Sequence, residues 1–308
     1  MSAGTPAQLR KAAAGCGLTP ASWVPEASDG RAEQATFRPV RLIEADALGF
    51  LPVGLARPWP GPVAFLDGVQ RYQIVAYAGV SPVVWAEIAA AVRERVGRRL
   101  RTVEERRRRV LVGRPEALAA LRGTDHGCEE AALPSDEPPH PIRDFTLVRR
   151  TVDAERGRLE VEVGHRYRMA SPHWLVVDGS LAQSPQWAAD QRMLGVMKSH
   201  ASLPFTGTDL ERYLRLPAGF RTTVFSPAGD EVAPVYSWAL RLWPWEGRDL
   251  FHGLIRVEAA PTDETVAQAG EICRWLLAER VPVSTPDPRW DRLLYGIYAV
   301  EEFLKARG

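Results

Sequence analysis

Twice in this 308-residue chain a short apolar run ends in Asp-Gly, as AFLDG at 64–68 and as LVVDG at 175–179. Runs of this length, bounded by turn-forming residues, read as buried strands. Each would carry a carboxylate, Asp67 or Asp178, to the edge of a sheet, and the following glycine lets the chain turn sharply or a ligand come close. A single Asp-Gly pair is ordinarily just a turn, its aspartate favoured for bonding to nearby backbone. Two of them after buried strands point further, because neighbouring strands would bring the carboxylates together. Close carboxylates repel, and one stays protonated unless a cation sits between them. A hard divalent ion such as Mg²⁺ or Mn²⁺ resolves that conflict, and such an ion assists the hydrolysis of a phosphodiester.

The flanking segments supply a mixed α/β pattern. VQRYQIVAYAG after Asp67 is rich in β-branched and aromatic residues, so 63–79 reads as a hairpin turning at Asp67-Gly68. Val83–Val96 is alanine-rich with apolar residues three and four apart, which predicts a helix. Asp144–Met169 predicts one long helix, despite Gly157. Strands are expected at 194–198, 224–225, 236–242 and 250–258, and helices at 262–279, with Thr262 as N-cap, and at 295–306. Residues 1–60, rich in Pro, Ala and Gly, hold a short helix near Ala7–Ala14 and a strand-like run, Phe37–Ile43. They read as an N-terminal extension packing on a main domain at 61–308, with a helical, Arg-rich insertion at about 83–142.

Composition sets limits on function. The formal net charge is +1, so attraction to nucleic acid must come from local patches. Arg93–Arg109 holds nine arginines and three glutamates, which serves either as a solvated face or as a phosphate-facing patch. Cys16, Cys128 and Cys273 are far apart, which argues against a disulfide framework or zinc site and fits a reducing cytoplasm. No secretory signal or membrane span is expected. The chain lacks a GxxxxGK[ST] loop, an HExxH motif and a GxSxG elbow.

A third acid is needed beside Asp67 and Asp178. The long helix offers Glu155, Glu160 and Glu162; Glu160 lies 18 residues before Asp178 and Glu162 lies 16 before it. Each could equally be an ordinary exposed helix glutamate. Lys198 ends a predicted strand at the same sheet edge and could contact a phosphate or balance the acids; the plainer reading is a surface lysine. His200 could join it. In the C-terminal segment, Tyr295 and Tyr298 lie close to Glu301 and Glu302, where a hydroxyl could bind phosphate and a glutamate support a metal, unless the segment is simply a packed amphipathic helix.

Together these segments resemble the NurA nuclease family, especially its bacterial members. The stretches FLDGVQRYQIVAYAG, LVVDGSL, LGVMKSH, LPAGFRTTVF, YSWALRL, HGLIRVE and DPRWDRLLYGIYAVEE run in family order over about 60–305. The resemblance implies an RNase H-like mixed sheet flanked by helices, a Mn²⁺- or Mg²⁺-dependent site and a homodimer. It implies 5′-to-3′ exonuclease and single-strand endonuclease activity on DNA, and work with a hexameric HerA-type translocase in DNA end processing or antiviral defence. On the family pattern Asp67 is the first-strand acid, Asp178 the acid of the DGS motif, Glu160 the helix acid with Glu162 as rival, and Tyr295 the tyrosine of the C-terminal motif. Two positions depart from it: Gly296 stands where a proline follows that tyrosine, and Phe303 stands where many members carry histidine. The leading expectation is therefore a metal-dependent DNA nuclease whose metal is held by Asp67, Asp178 and Glu160, with Lys198 positioning the strand. The alternative is a noncatalytic DNA-binding or scaffold subunit of a translocase complex; action on RNA is a third, lesser reading.

Overall fold

A computed structural model describes residues 5–20, 36–97, 99–124, 126–134, 136–198, 202–228, 233–245, 250–282 and 289–307. In chain order its strands are β1 (Thr19–Pro20), β2 (Thr36–Phe37), β3 (Val40–Leu42), β4 (Phe50–Pro52), β5 (Val63–Ala78), β6 (Ser81–Val96), β7 (Arg99–Gly113), β8 (Glu129–Ala132), β9 (Trp174–Asp178), β10 (Met193–Met197), β11 (Ser202–Leu203), β12 (Phe220–Thr222), β13 (Phe225–Pro227), β14 (Tyr236–Arg241) and β15 (Leu254–Ala259). The α-helices are α1 (Pro6–Gly15), α2 (Pro115–Leu121), α3 (Pro141–Ala170), α4 (Pro185–Ala189), α5 (Gly207–Leu214), α6 (Asp263–Glu279) and α7 (Tyr295–Lys305). Thirteen strands form one sheet whose main order is β3-β13-β14-β15-β10-β9-β5-β6-β7-β8. Only β5–β9, β9–β10 and β7–β8 pair in parallel within it; its other pairs are antiparallel.

Each face of the sheet is covered by helix. Val148, Val152, Leu159 and Val163 of α3 pack on Ala64, Leu66, Leu175 and Val177. On the opposite face, residues of α6 and α7 such as Ile272, Leu276, Ile297 and Val300 pack on Phe65, Val176, Val196 and Val257. Alternate residues of β5 and β9 thus feed opposite cores, as the two-residue period of a strand requires. Burying one such aliphatic side chain stabilises by roughly 1.5–3 kcal/mol. Helix α6 starts where expected, its Thr262 hydroxyl accepting from the Thr265 N–H (3.2 Å).

Two expectations fail, for physical reasons. Asp67-Gly68 is not a hairpin turn: β5 runs through it, with Asp67 opposite Ala91 and Gly68 opposite Ala90. The turn lies at Gly79-Val80, where Gly79 has φ +60°, a conformation glycine adopts without steric cost. Nor is Val83–Val96 a helix or part of a helical insertion; it is the long strand β6, and the arginine-rich run continues as β7. Strand β6 is buried almost continuously from Ser81 to Val92 because it is an interior strand, between β5 and β7, and both of its faces are covered. A strand buried on both faces loses the alternation that would identify it, and its small side chains at Ala86, Ala89, Ala90 and Ala91 imitate a helix former. Between 83 and 142 the helix predicted for an insertion is confined to α2 and the first residues of α3. No helix among the described residues is long and apolar enough to cross a membrane.

The segment before β5 is bound into this framework. Leu9 and Ala13 of α1 pack with Val75, Trp85, Leu111 and Leu118, β1 pairs with β5, β3 with β13 and β4 with β12.

Candidate active site

Strands β5 and β9 lie side by side in parallel, with Leu66 paired to Val177. One residue further along each strand come Asp67 and Asp178, so both carboxylates project from the same face at neighbouring positions. In β10, Val196 is paired with Asp178, and Lys198, two residues on, returns to that face. Its ammonium lies 2.7 Å from Asp178 Oδ2.

The third acid arrives from the other side. Glu160 is on α3, which packs against the opposite face, and its carboxylate reaches the site where Gly68 leaves the sheet bare. A β-carbon at position 68 would stand 2.2 Å from Glu160 Oε1. The glycine after Asp67 is therefore the gap through which Glu160 reaches the acids. We expect Gly68→Ala to displace Glu160 and lower any phosphodiester cleavage by about 100-fold. Because the atoms in the way all belong to one side chain and none to backbone, the thermal midpoint should change little; a large drop in melting temperature alongside the lost rate would instead point to general disruption.

The electrostatics agree with this convergence. Asp67 is 5% exposed; burial first, then repulsion from Asp178, Glu160 and Glu301, push its carboxyl well above the ordinary range, with Lys198 opposing them. Glu160 is raised to about 7 by burial, with Asp178 adding to the shift and Arg156 working against it. Arg156 pairs with Glu160 and also donates to Gln70 Oε1 (3.2 Å), while Gln70 donates to Asp153 (2.6 Å).

The other sequence candidates divide. Glu162 is not part of the centre: it pairs with Arg108 and with Arg166 (3.2 Å), two residues along a helix being enough to turn it away. Glu155 pairs with Arg158. Tyr295 is 52% exposed at the start of α7, and among the described residues no hydrogen bond joins it to the acids. Glu301, not Glu302, faces inward; it is held by Arg289 (3.0 Å) and Lys305 (2.9 Å), which keep its carboxyl below the usual range against burial, and its charge is felt at Asp67. Phe303 packs against the guanidiniums of Arg93 and Arg307, which lie 4.9 and 4.7 Å from its ring centre. Gly296 packs against Phe65: a β-carbon there would meet three ring atoms at 2.3–2.4 Å, so neither proline nor alanine fits. His200 lies outside the described residues.

One residue that braces the site was not singled out from the sequence. Glu258, on β15 and 2% exposed, accepts from Ser180 Oγ (2.7 Å) and the Leu181 N–H (3.0 Å), fixing the turn that follows Asp178. A buried acid in the alternation LIRVEA was the available hint.

The donor set fits a hard divalent cation. It offers carboxylate oxygens alone, and Asp67 and Glu160 are buried in surroundings that disfavour their charge. In the present arrangement Glu160 is turned to Arg156 and Asp178 to Lys198, and among the described residues no three His, Cys, Asp or Glu side chains are grouped as a metal cage.

Fold and site together define a mixed α/β protein with an acidic centre at adjoining strand positions. No family model and no curated protein matches the sequence. Among solved structures the chain is similar in fold to the NurA nuclease from Sulfolobus solfataricus, with TM-score 0.50, 10% identity, and 83% of this chain and 81% of that one covered. The catalytic domain of human Endonuclease V superposes with TM-score 0.33 and 15% identity over 80% of this chain and 83% of that one.

Proposed function

We infer that the protein is a metal-dependent DNA nuclease whose divalent ion, Mn²⁺ or Mg²⁺, would be held by Asp67, Asp178 and Glu160. The observation that carries this reading is the juxtaposition of Asp67 and Asp178 on paired strands, with Glu160 entering over Gly68. Bound there, the ion supplies Lewis acidity toward a phosphodiester oxygen and eases deprotonation of water. The chain's own residues do the rest. Lys198 holds Asp178 and places a positive charge beside the site of phosphate attack. Arg156 orients Glu160, Glu258 fixes the Ser180 turn, and α6 and α7 cover the acids' face of the sheet.

The finer reading follows the family resemblance: 5′-to-3′ exonuclease and single-strand endonuclease activity, a homodimer, and a hexameric HerA-type translocase as partner in end processing or antiviral defence. The fold shared with the Sulfolobus NurA nuclease supports it. Phe303, standing where many members of the resembled family carry histidine, keeps one alternative in view: a DNA-binding subunit without cleavage. Linear and circular single-stranded DNA, and linear duplex, incubated with Mn²⁺, Mg²⁺ or EDTA, separate the two. The nuclease reading expects EDTA-sensitive cutting of the single strands, including the circle. Binding with no cutting in either metal, with and without a translocase partner, would favour the scaffold.

A further inference from the structure

The turn Asp178-Gly179-Ser180 faces two ways. Asp178 joins the acidic centre, whereas Ser180 lines a separate cleft of about 390 Å³ together with Arg38, Ser202, Arg256 and Glu258. Arg256 sits opposite Met197 on β10, one residue beyond the position paired with Asp178. It thus lies two strands over at the same end of the sheet, about 10 Å away by strand spacing. Alternation sends its side chain to the other face, so the cleft opens on the opposite face from the acids, at the same ends of these strands.

The polar groups of this cleft are incompletely used. Arg256 donates to Ser202 O (3.3 Å) and Met197 Sδ (3.0 Å) and lies 3.7 Å from Glu258. Its Nε–H and the Ser202 hydroxyl are buried without a hydrogen-bond partner among the described residues. A buried donor left unpaired costs free energy, and a ligand acceptor relieves it. Glu258 is already engaged by Ser180 and the Leu181 N–H. Arg38, exposed at the mouth, has no acidic partner among the described residues. Two guanidiniums against one occupied carboxylate leave the cleft positive and furnished with donors, which suits a phosphate dianion or diester.

We propose that this cleft is a phosphate-accepting subsite for the nucleic-acid strand engaged at the acidic centre, with Arg38 and Arg256 as its anion-binding side chains. The proposal rests on the nuclease reading and adds a second anchoring point for the same strand. The phosphate is either a 5′-terminal monoester or an internal diester.

Binding in EDTA, where no cutting occurs, tests it. Fluorescence anisotropy would follow the full-length protein with three single-stranded probes: a 5′-phosphorylated oligonucleotide, its 5′-hydroxyl counterpart and a circle. Each lost phosphate contact lowers the slope of log K against log salt by about 0.7 for single strands. Arg38→Ala and Arg256→Gln should each lower that slope by about this amount and weaken binding about tenfold, whereas Arg256→Lys should retain most of the slope. A loss confined to the 5′-phosphorylated probe assigns the terminal monoester; a loss with all three assigns an internal diester. Because Arg38 is exposed, its replacement reports on binding even should Arg256→Gln misfold. A wild type that binds and cuts, with Arg38→Ala leaving both slope and affinity unchanged, overturns the subsite alone. A wild type that binds none of the probes and cuts none overturns the nuclease reading with it.

Discussion

Asp67→Asn should abolish metal-dependent cleavage while leaving the metal-free protein at least as stable as the wild type. The expected loss is at least roughly 10³-fold, a little over 4 kcal/mol of activation barrier. Asp67 is almost wholly buried, and Asp178, Glu160 and Glu301 all disfavour its charge. Asparagine keeps the shape and removes that repulsion, so without divalent ions the fold should gain on the order of 1 kcal/mol at neutral pH. Such a pairing of lost activity with retained or raised stability is what a strained functional site predicts. Mn²⁺ should raise the melting temperature of the wild type by mass action and leave that of the variant unmoved. Differential scanning fluorimetry with and without Mn²⁺, beside an oligonucleotide cleavage assay, measures both. A variant that cuts as fast as wild type, or that melts several degrees lower without metal, contradicts this account of Asp67.

The largest effect on stability is expected at a pair far from the acids. Arg114, just after β7, donates through Nε and Nη2 to both oxygens of Asp144 in the first turn of α3, at 2.8 and 3.0 Å. Arg114 is 7% exposed and Asp144 0%. Its third contact, from Nη1 to the Glu137 carbonyl (2.8 Å), ties in the segment before α3. Arg114→Met would leave a buried carboxylate without its partner, which costs about 3–5 kcal/mol. Replacing both residues with apolar side chains should recover most of that. The sign with pH follows from Asp144, whose carboxyl is lowered to about 2, chiefly by Arg114. The wild type has this stabilisation in full above the ordinary aspartate range near 4 and loses it as pH falls toward 2. The gap between wild type and Arg114→Met should therefore be widest near neutral pH and shrink below pH 4, as read by urea denaturation across that range. A gap that stays constant down to pH 2 would remove the pair from the explanation. Since α3 carries Glu160, a loosened start to this helix should also reduce cleavage.

How far the sequence showed these features depended on the range of the interaction concerned. Apolar runs ending in Asp67 and Asp178 are local signals, and the strands they predict lie side by side. Thr262 and the long α3 were visible in capping and periodicity for the same reason. Strand β6 was hidden because burial on both faces erases alternation, and because alanines, placed there so that covering elements can approach, look helical in isolation. The role of Gly68 was equally hidden: its neighbour Asp67 suggested a turn, while the helix side chain that needs the space lies 92 positions further along the chain. Glu160 and Glu162 look equivalent in one dimension; only the seating of α3 sends one to the acids and the other to Arg108. Many arginines of 93–109 proved to be paired, as with Arg95 and Glu279 and Arg101 and Glu94, and those partners lie too far along the chain or across strands to be read from the run itself.

The central claim is that three acids from two strands and one helix share a single divalent ion. Isothermal titration of Mn²⁺ into the wild type and into Asp67→Asn, Asp178→Asn and Glu160→Gln tests it without reliance on catalysis. The account predicts binding to the wild type that weakens about tenfold or more in each variant. Binding to Asp178→Asn with wild-type affinity would contradict it.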